Sequence, residues 1–232
     1  MHSLPDGYTA LVIGASGTIG RAFCNAIAAD PACASVFELG RSTHPGFDLG
    51  DPGRLADSLS TLLAGEPLSL VIDATGVLSA DSTGPEKSLA AVRHENLHRL
   101  MQINAVGPLM LLRELAPRLA RGRCLYGKLS ARVGSIADNR LGGWYSYRAS
   151  KAALNMLLQT AAIELQRRLP GLVVAAMQPG TVRSPLSQRF VSAVTETVSP
   201  EDAARGLLAA LDAIEPGPGA RFVDYRGLTI PW

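Results

Sequence analysis

The sequence predicts an α/β fold: one doubly wound domain with a mostly parallel sheet and helices on both of its faces. Three observations lead there. Short, continuous β-branched runs alternate with longer stretches of helical spacing, the pattern of strands covered on both faces by crossover helices. A length of 232 residues suits one domain better than two and suffices for a full core without staples. The composition, 47% hydrophobic and 18% charged, is globular, and no repeat, linker or low-complexity segment interrupts it.

Each element follows in order. Residues 9–14, TALVIG, read as a buried strand that ends on a glycine, and 18–30, TIGRAFCNAIAAD, as the helix after it. SVFELG (35–40) is a second strand. After a loop, 52–65 is helical, and LSLVIDATG (68–76) is a third strand. The run 88–120 holds two helices separated near Val106, Gly107 and Pro108, because proline interrupts helical hydrogen bonding. RCLYGKLSA (123–131) is a strand weakened by Gly127 and Lys128. A helix over 149–169, a strand over 172–180, a helix over 200–214 and a strand over 219–227 complete the series; EPGPG before the last strand is a turn.

Composition also excludes functions. The net charge of +2 and the scattered basic residues argue against a nucleic-acid surface. Cys24, Cys33 and Cys124 lack CxxC spacing, and the four histidines form no HxxxH or HExxH pair, so no metal site is expected. An odd thiol count fits a reducing compartment. No leader pattern or membrane-length apolar run is present, so the expectation is a cytoplasmic protein with no membrane partner.

LVIGASGTIGR places Gly14, Gly17 and Gly20 between a strand and a helix. Glycines permit a tight turn and close backbone approach, and a helix N-terminus offers free N–H groups to phosphate. Gly14, Ser16, Gly17, Thr18, Ile19 and Gly20 are therefore candidate nucleotide-binding residues. An NAD site would carry an acid about twenty residues on for the ribose hydroxyls. Here ELGRST puts Arg41 and Ser42 just past the strand, and Glu38 lies too early. An arginine there can pair with a 2′-phosphate, which favours NADP(H) over NAD(H). Asp48 and Leu49 offer an adenine hydrogen bond and an apolar contact, although Asp48 alone also reads as a loop or cap residue.

In YSYRASKAALN, Tyr147 and Lys151 are spaced i, i+4 and share a helix face. A phenol is a weak acid, with an unperturbed pKa of about 10. A neighbouring ammonium favours the phenolate and makes the group usable as a proton donor and acceptor, which suits hydride transfer to a carbonyl. Tyr145 is six residues from Lys151 and off its face.

Together, IGASGTIG, DATG, NAVG, YSYRASKAALN and PGTV, in that order, resemble the short-chain dehydrogenase/reductase family across nearly the whole chain. GSIADNRLGGWYSYRASKAALNML and FVDYRGLTIPW are similar to its small C-factor-like and sniffer-like carbonyl reductase branch. The resemblance implies a Rossmann fold with Tyr147 as acid/base. Lys151 would hold the nicotinamide ribose and lower the tyrosine pKa, and Asn104 would anchor a water that links the lysine to bulk. Ala74, Thr75 and Gly76 would support the adenosine ribose, and Pro179, Gly180, Thr181 and Val182 would meet the nicotinamide. Residues 183–199, with Arg183, Gln188, Arg189 and Phe190, would form a short substrate lid. Family members commonly pair through the helices before and after the tyrosine motif, which implies a homodimer or homotetramer.

The chain departs from the family pattern at several places. Ile13 and Thr18 alter the first turn, and Asp73, Ala74 and Thr75 replace the first three residues of the usual N-N-A-G. Where paired serines normally end the strand before the active site, Ala131 takes the second place, leaving Ser130 and Ser135 as candidate hydroxyls. Neighbouring strand residues face opposite ways, so Ser130 is expected to point away unless the strand has already ended, and Ser135 is slightly preferred. The function expected is an NADPH-dependent reduction of a small or medium carbonyl compound, or the reverse oxidation. The alternative is a weakly active or non-enzymatic NADP-binding regulatory protein.

Overall fold

Along β1 (Tyr8–Ile13), Ala10 and Val12 face one side of the sheet and Leu11 and Ile13 the other, and all are buried. A strand covered on both faces has no polar side, which is why the run is apolar without alternation. A computed structural model describes residues 1–63, 65, 67–79, 84–183 and 197–232. It shows six strands, every pair parallel: β1, β2 (Cys33–Leu39), β3 (Leu70–Asp73), β4 (Cys124–Leu129), β5 (Leu172–Gln178) and β6 (Arg221–Asp224), in the order β2-β1-β3-β4-β5-β6. The expected doubly wound fold is thus present, all-parallel rather than mostly so.

Two cores sandwich the sheet. On one face, Ala22, Phe23 and Ile27 of α1 (Thr18–Ala28) and Leu207 and Leu211 of α6 (Pro200–Asp212) pack on Ala10, Val12 and Ile72. On the other, Leu55 and Leu59 of α2 (Pro52–Leu62), Leu111 and Leu115 of α4 (Gly107–Leu115), and Leu154 and Leu158 of α5 (Tyr145–Leu165) pack on Leu11, Ile13 and Tyr126. Each fully buried leucine contributes about 1.5–3 kcal/mol.

The chain leaves β1 for β2 on one side and returns to β3 on the other. This topological switch opens a crevice at the carboxyl ends of β1 and β3, where such sheets bind ligands.

Several boundaries differ from those expected. The strand over 68–76 narrows to Leu70–Asp73, because Ala74 to Val77 leave the sheet, and the last strand narrows from 219–227 to Arg221–Asp224. The run 88–120 does not break near Pro108. α3 (His94–Met101) passes through a π-helical turn, Gln102–Val106, straight into α4, where Pro108 sits in the first turn and needs no N–H partner. α5 begins at Tyr145 rather than near 149. Gly142, Gly143 and Trp144 are all left-handed, with φ of 63°, 65° and 53°, and they turn the chain directly into the helix.

Candidate active site

The first turn after β1 takes its shape from glycine. Gly14 has φ of 79°, and a Cβ on Gly20 would sit 2.0 Å from the Gly14 carbonyl oxygen, so α1 can pack on the turn only with glycine there. Gly17 caps α1 without a side-chain hydrogen bond, and no acidic residue lies in the first turn. An uncapped, acid-free helix N-terminus at the switch point fits a dinucleotide diphosphate. Ser16, Thr18 and Ile19 lie in this turn; Ser16 and Thr18 are exposed.

Beyond β2, Arg41 and Ser42 are exposed, and no ion pair holds Arg41 among the described residues. Glu38 is bound by the Arg21 guanidinium at 2.8 Å and 3.1 Å, which occupies the nearby acid and leaves Arg41 as the cation of this edge. Asp48 is exposed and uses Oδ1 to accept the Gly50 N–H at 2.8 Å, a loop-forming turn. Leu49 packs on the core, and its Cβ leaves no room for a side chain at Gly107. The residues at this rim therefore fit a dinucleotide through the glycine turn, with Arg41 exposed beside it and Asp48 and Leu49 partly committed to the protein itself.

At the carboxyl end of β3, the DATG turn is tied to β4. Lys128 is paired in register with Asp73, and both side chains are fully buried. The Lys128 ammonium donates to Asp73 Oδ1 at 3.0 Å, to the Thr75 carbonyl at 2.6 Å and to Thr75 Oγ1 at 3.0 Å. Asp73 Oδ1 also accepts from the Thr75 N–H and hydroxyl at 2.9 Å and 2.5 Å. Ala74 packs on the first core, and the N–H of Ala74 donates to the Ile13 carbonyl. Gly76, with φ of 149°, comes next: a Cβ there would lie 3.3 Å from Asn104 Oδ1 and 3.4 Å from Lys151 Nζ.

Asn104 sits in the π-helical turn and is fully buried. Its Oδ1 accepts the Val77 N–H at 2.8 Å, and its Nδ2 donates to the Val77 carbonyl at 2.8 Å and to Ser150 Oγ at 3.1 Å. Ser150 in turn donates to the Tyr147 carbonyl at 2.8 Å. Asn104 thus braces the exit of β3 and, through Ser150, the first turn of α5. With its carboxamide committed in this way, a water-anchoring role would fall to its main chain.

Tyr147 and Lys151 do share a face, with Lys151 Nζ 5.7 Å from the centre of the tyrosine ring and donating to the Leu129 carbonyl at 3.1 Å. Burial pushes the Tyr147 phenol well above its ordinary range. This runs against the expected lowering by Lys151. The Lys151 ammonium is itself pushed down to about 7 by burial and by the neighbouring Lys128 charge, with Asp73 opposing. A lysine that is hard to protonate is a weak electrostatic partner for a phenolate.

Both candidate serines have hydrogen-bond partners. Strand β4 ends at Leu129, and Ser130, just past it, faces α5 and donates to Asn155 Oδ1 at 2.7 Å. Asn155 lies two helical turns beyond Tyr147. Ser135 accepts the Asp138 N–H at 3.0 Å. Among the described residues neither hydroxyl is hydrogen-bonded to Tyr147. After β5, Pro179 and Gly180 turn the chain, with Gly180 at φ of 79° against Tyr225. The Thr181 carbonyl accepts the Val198 N–H at 3.0 Å, and Val182 pairs with Val198, so part of this backbone is already used. Arg183 donates to Thr197 Oγ1 at 2.7 Å. Gln188, Arg189 and Phe190, and with them most of the expected lid, lie outside the described residues.

Two features escape sequence reading. Glu86, buried although far from α5 in sequence, accepts the Ser146 N–H at 3.2 Å and the Ser146 hydroxyl, while its carbonyl accepts the Trp144 N–H at 2.5 Å. It is the cap of the helix that carries Tyr147. The other is the Asp73–Lys128 pair, whose only signal was a charge in the middle of an apolar strand.

Fold and site together define a Rossmann-type protein of the oxidoreductase class. The family model described as short chain dehydrogenase matches residues 40–194, and the chain belongs to that family. The C-signal of Myxococcus xanthus is 34% identical over 167 residues, covering 72% of this chain and 93% of the relative. A 1-hydroxy-2-glutathionyl-2-methyl-3-butene dehydrogenase from a Rhodococcus species is 31% identical over 201 residues, covering 86% and 84%. The crystal structure of a short-chain dehydrogenase/reductase from Burkholderia multivorans with bound NADP superposes with a TM-score of 0.81 at 25% identity, covering 97% of this chain and 99% of that one.

Proposed function

We propose that the chain is an NADPH-dependent reductase of a small or medium carbonyl compound, able also to run the alcohol oxidation. The observation that carries this reading is the convergence of Asn104 Oδ1 and Lys151 Nζ on Gly76, with Tyr147 one turn away on the same helix face. Arg41, free of ion pairs among the described residues, and the glycine turn support NADP(H), as does the NADP held by the Burkholderia relative. When bound, the cofactor supplies the hydride. Tyr147, kept protonated at neutral pH by burial, donates its proton to the substrate oxygen. Lys151, titrating at about 7, can both give and take a proton near neutrality and so can resupply the phenol. Asn104 and Ser150 hold the tyrosine's turn in place.

Tyr147→Phe tests the reading. NADPH oxidation across a carbonyl panel is expected to fall by about 10²–10⁴-fold, with NADPH binding retained. Binding of NADPH without its consumption by the unmodified protein would overturn it. That outcome would favour a second reading, a weakly active NADP-binding regulatory protein. The engagement of Ser130 and Ser135 away from Tyr147, with Ala131 between them, and the likeness to C-signal support this alternative.

Two further properties belong to the proposal. Met156 and Ile163, exposed and seven residues apart on one face of α5, suit the pairing of two copies, read by light scattering. No described helix is long and apolar enough to cross a membrane, and a cytoplasmic site of action agrees with the free thiols.

A further inference from the structure

The chain has 22 basic residues, and only three of them are lysines: Lys87, Lys128 and Lys151. Lys87 is exposed; the other two are buried on the same side of the sheet, where α5 covers β3 and β4. Arginine stays charged wherever it is placed, whereas a buried lysine can give up its proton, so the choice of lysine at two adjoining buried positions has chemical content. We propose that Lys128, paired with Asp73, is a positioning residue of the catalytic site: it fixes the Thr75–Gly76 turn on which Asn104 and Lys151 converge, and it sets a second buried positive charge behind Lys151.

The geometry carries the first half. Lys128 Nζ holds the Thr75 carbonyl and hydroxyl at 2.6 Å and 3.0 Å, one residue before Gly76, whose open side faces Lys151 Nζ and Asn104 Oδ1. Asp73 gathers Lys128 and both Thr75 donors on the single oxygen Oδ1, so the turn, the carboxylate and the ammonium form one unit.

The second half follows from the arrangement of charges. The ionisable groups that face Lys151 are Lys128 from β4, Asp73 from β3 and Tyr147 from its own helix. Tyr126 of β4 lies beside Asp73 and is kept neutral by burial and by that carboxylate. The π-helical turn contributes Asn104 and the turn at 132–134 contributes Gly134, neither ionisable; His94, Glu95, His98 and Arg99 of α3 are exposed. After burial, Lys128 is the stronger influence on Lys151 and Asp73 the weaker, opposing one. Lys128 therefore makes the Lys151 proton mobile near neutral pH.

This rests on the proposed role of Lys151 beside Tyr147, but its test is independent of turnover. In cofactor-free protein labelled with ¹³C at lysine Cε, three side-chain signals are expected, and the exposed Lys87 serves as reference. The midpoint of Lys151 is expected to fall in Asp73→Asn, to rise by about 1 unit or more in Lys128→Met, and to lie between wild type and Lys128→Met in the double variant. The alkaline limb of kcat/KM should follow the same order. A single variant leaves one member of the Asp73–Lys128 pair buried without its partner and can fail to fold; the double variant removes both members, and its midpoint against wild type then decides. An unchanged Lys151 midpoint in the folded variants would overturn the proposal. Absent NADPH consumption with a shifted midpoint would leave it standing while removing the reductase reading.

Discussion

The nucleotide turn and the Asp73–Lys128–Lys151 layer lie side by side at the carboxyl edge of the sheet, yet they are built from opposite materials. At the turn, Gly14, Gly17 and Gly20 contribute backbone shape and an open helix N-terminus, and Arg41 nearby stands in solvent while Arg21 is paired with Glu38. In the layer, side chains carry charge with little or no solvent access, and the Asp73–Lys128 and Lys151–Leu129 contacts each join two different elements. A shape-based site is damaged by added volume. A charge-based site is damaged by unbalanced charge.

Gly20→Ala should give the largest effect on the first side. Its Cβ has only 2.0 Å to the Gly14 carbonyl, so the turn must move. A destabilisation of about 1–3 kcal/mol and loss of measurable NADPH binding are expected, read by thermal unfolding and fluorescence titration. Binding left intact in Gly20→Ala would show that the turn is not the diphosphate site.

The charged side predicts the opposite sign for stability. Lys151 has its folded pKa lowered to about 7 against a usual 10.5, so it burdens the fold while protonated. That burden is complete below about 7 and is relieved as pH rises toward the unfolded value. Lys151→Met should therefore unfold at a higher temperature than wild type at pH 6, by about 2–4 °C for each kcal/mol recovered, while losing turnover. The advantage should shrink between pH 7 and 10. Equal melting curves across that range would break the contrast between the two regions.

Arg41→Ala should have the smallest effect and leave stability unchanged. NADPH affinity should weaken by about tenfold or more while NADH affinity holds, since a charge-assisted hydrogen bond is worth about 1.5–3 kcal/mol. Equal losses for both cofactors would remove Arg41 from the 2′-phosphate.

How far the sequence could be read follows the same division. The glycine turn, the buried strands and the Tyr147–Lys151 face are local patterns, each written within a dozen residues, and the structure places them together. What escaped is long-range. Lys128 seemed only to weaken a strand, because its meaning lies in Asp73, 55 residues away. Glu86 caps α5 from 60 residues off, and no local motif announces it. Ser130 keeps the alternation of Tyr126 toward α5 and meets Asn155 there, 25 residues on, a partner that no local pattern names. Pro108 suggested a break, but proline in a helix's first turn costs nothing, and the π-helical turn absorbs the junction.

That π-helical turn makes this stretch sensitive to length as well as to identity. An α-helix advances about 100° per residue, so α4 inherits its rotational phase from the number of residues between Met101 and Gly107. A π turn holds one residue more than the α turn it replaces, so removing one would keep Leu111, Leu112 and Leu115 in phase with the core yet erase the widened turn that seats Asn104 on Val77. Between α3 and α4 the spare residue serves to place Asn104 and not to phase the helix.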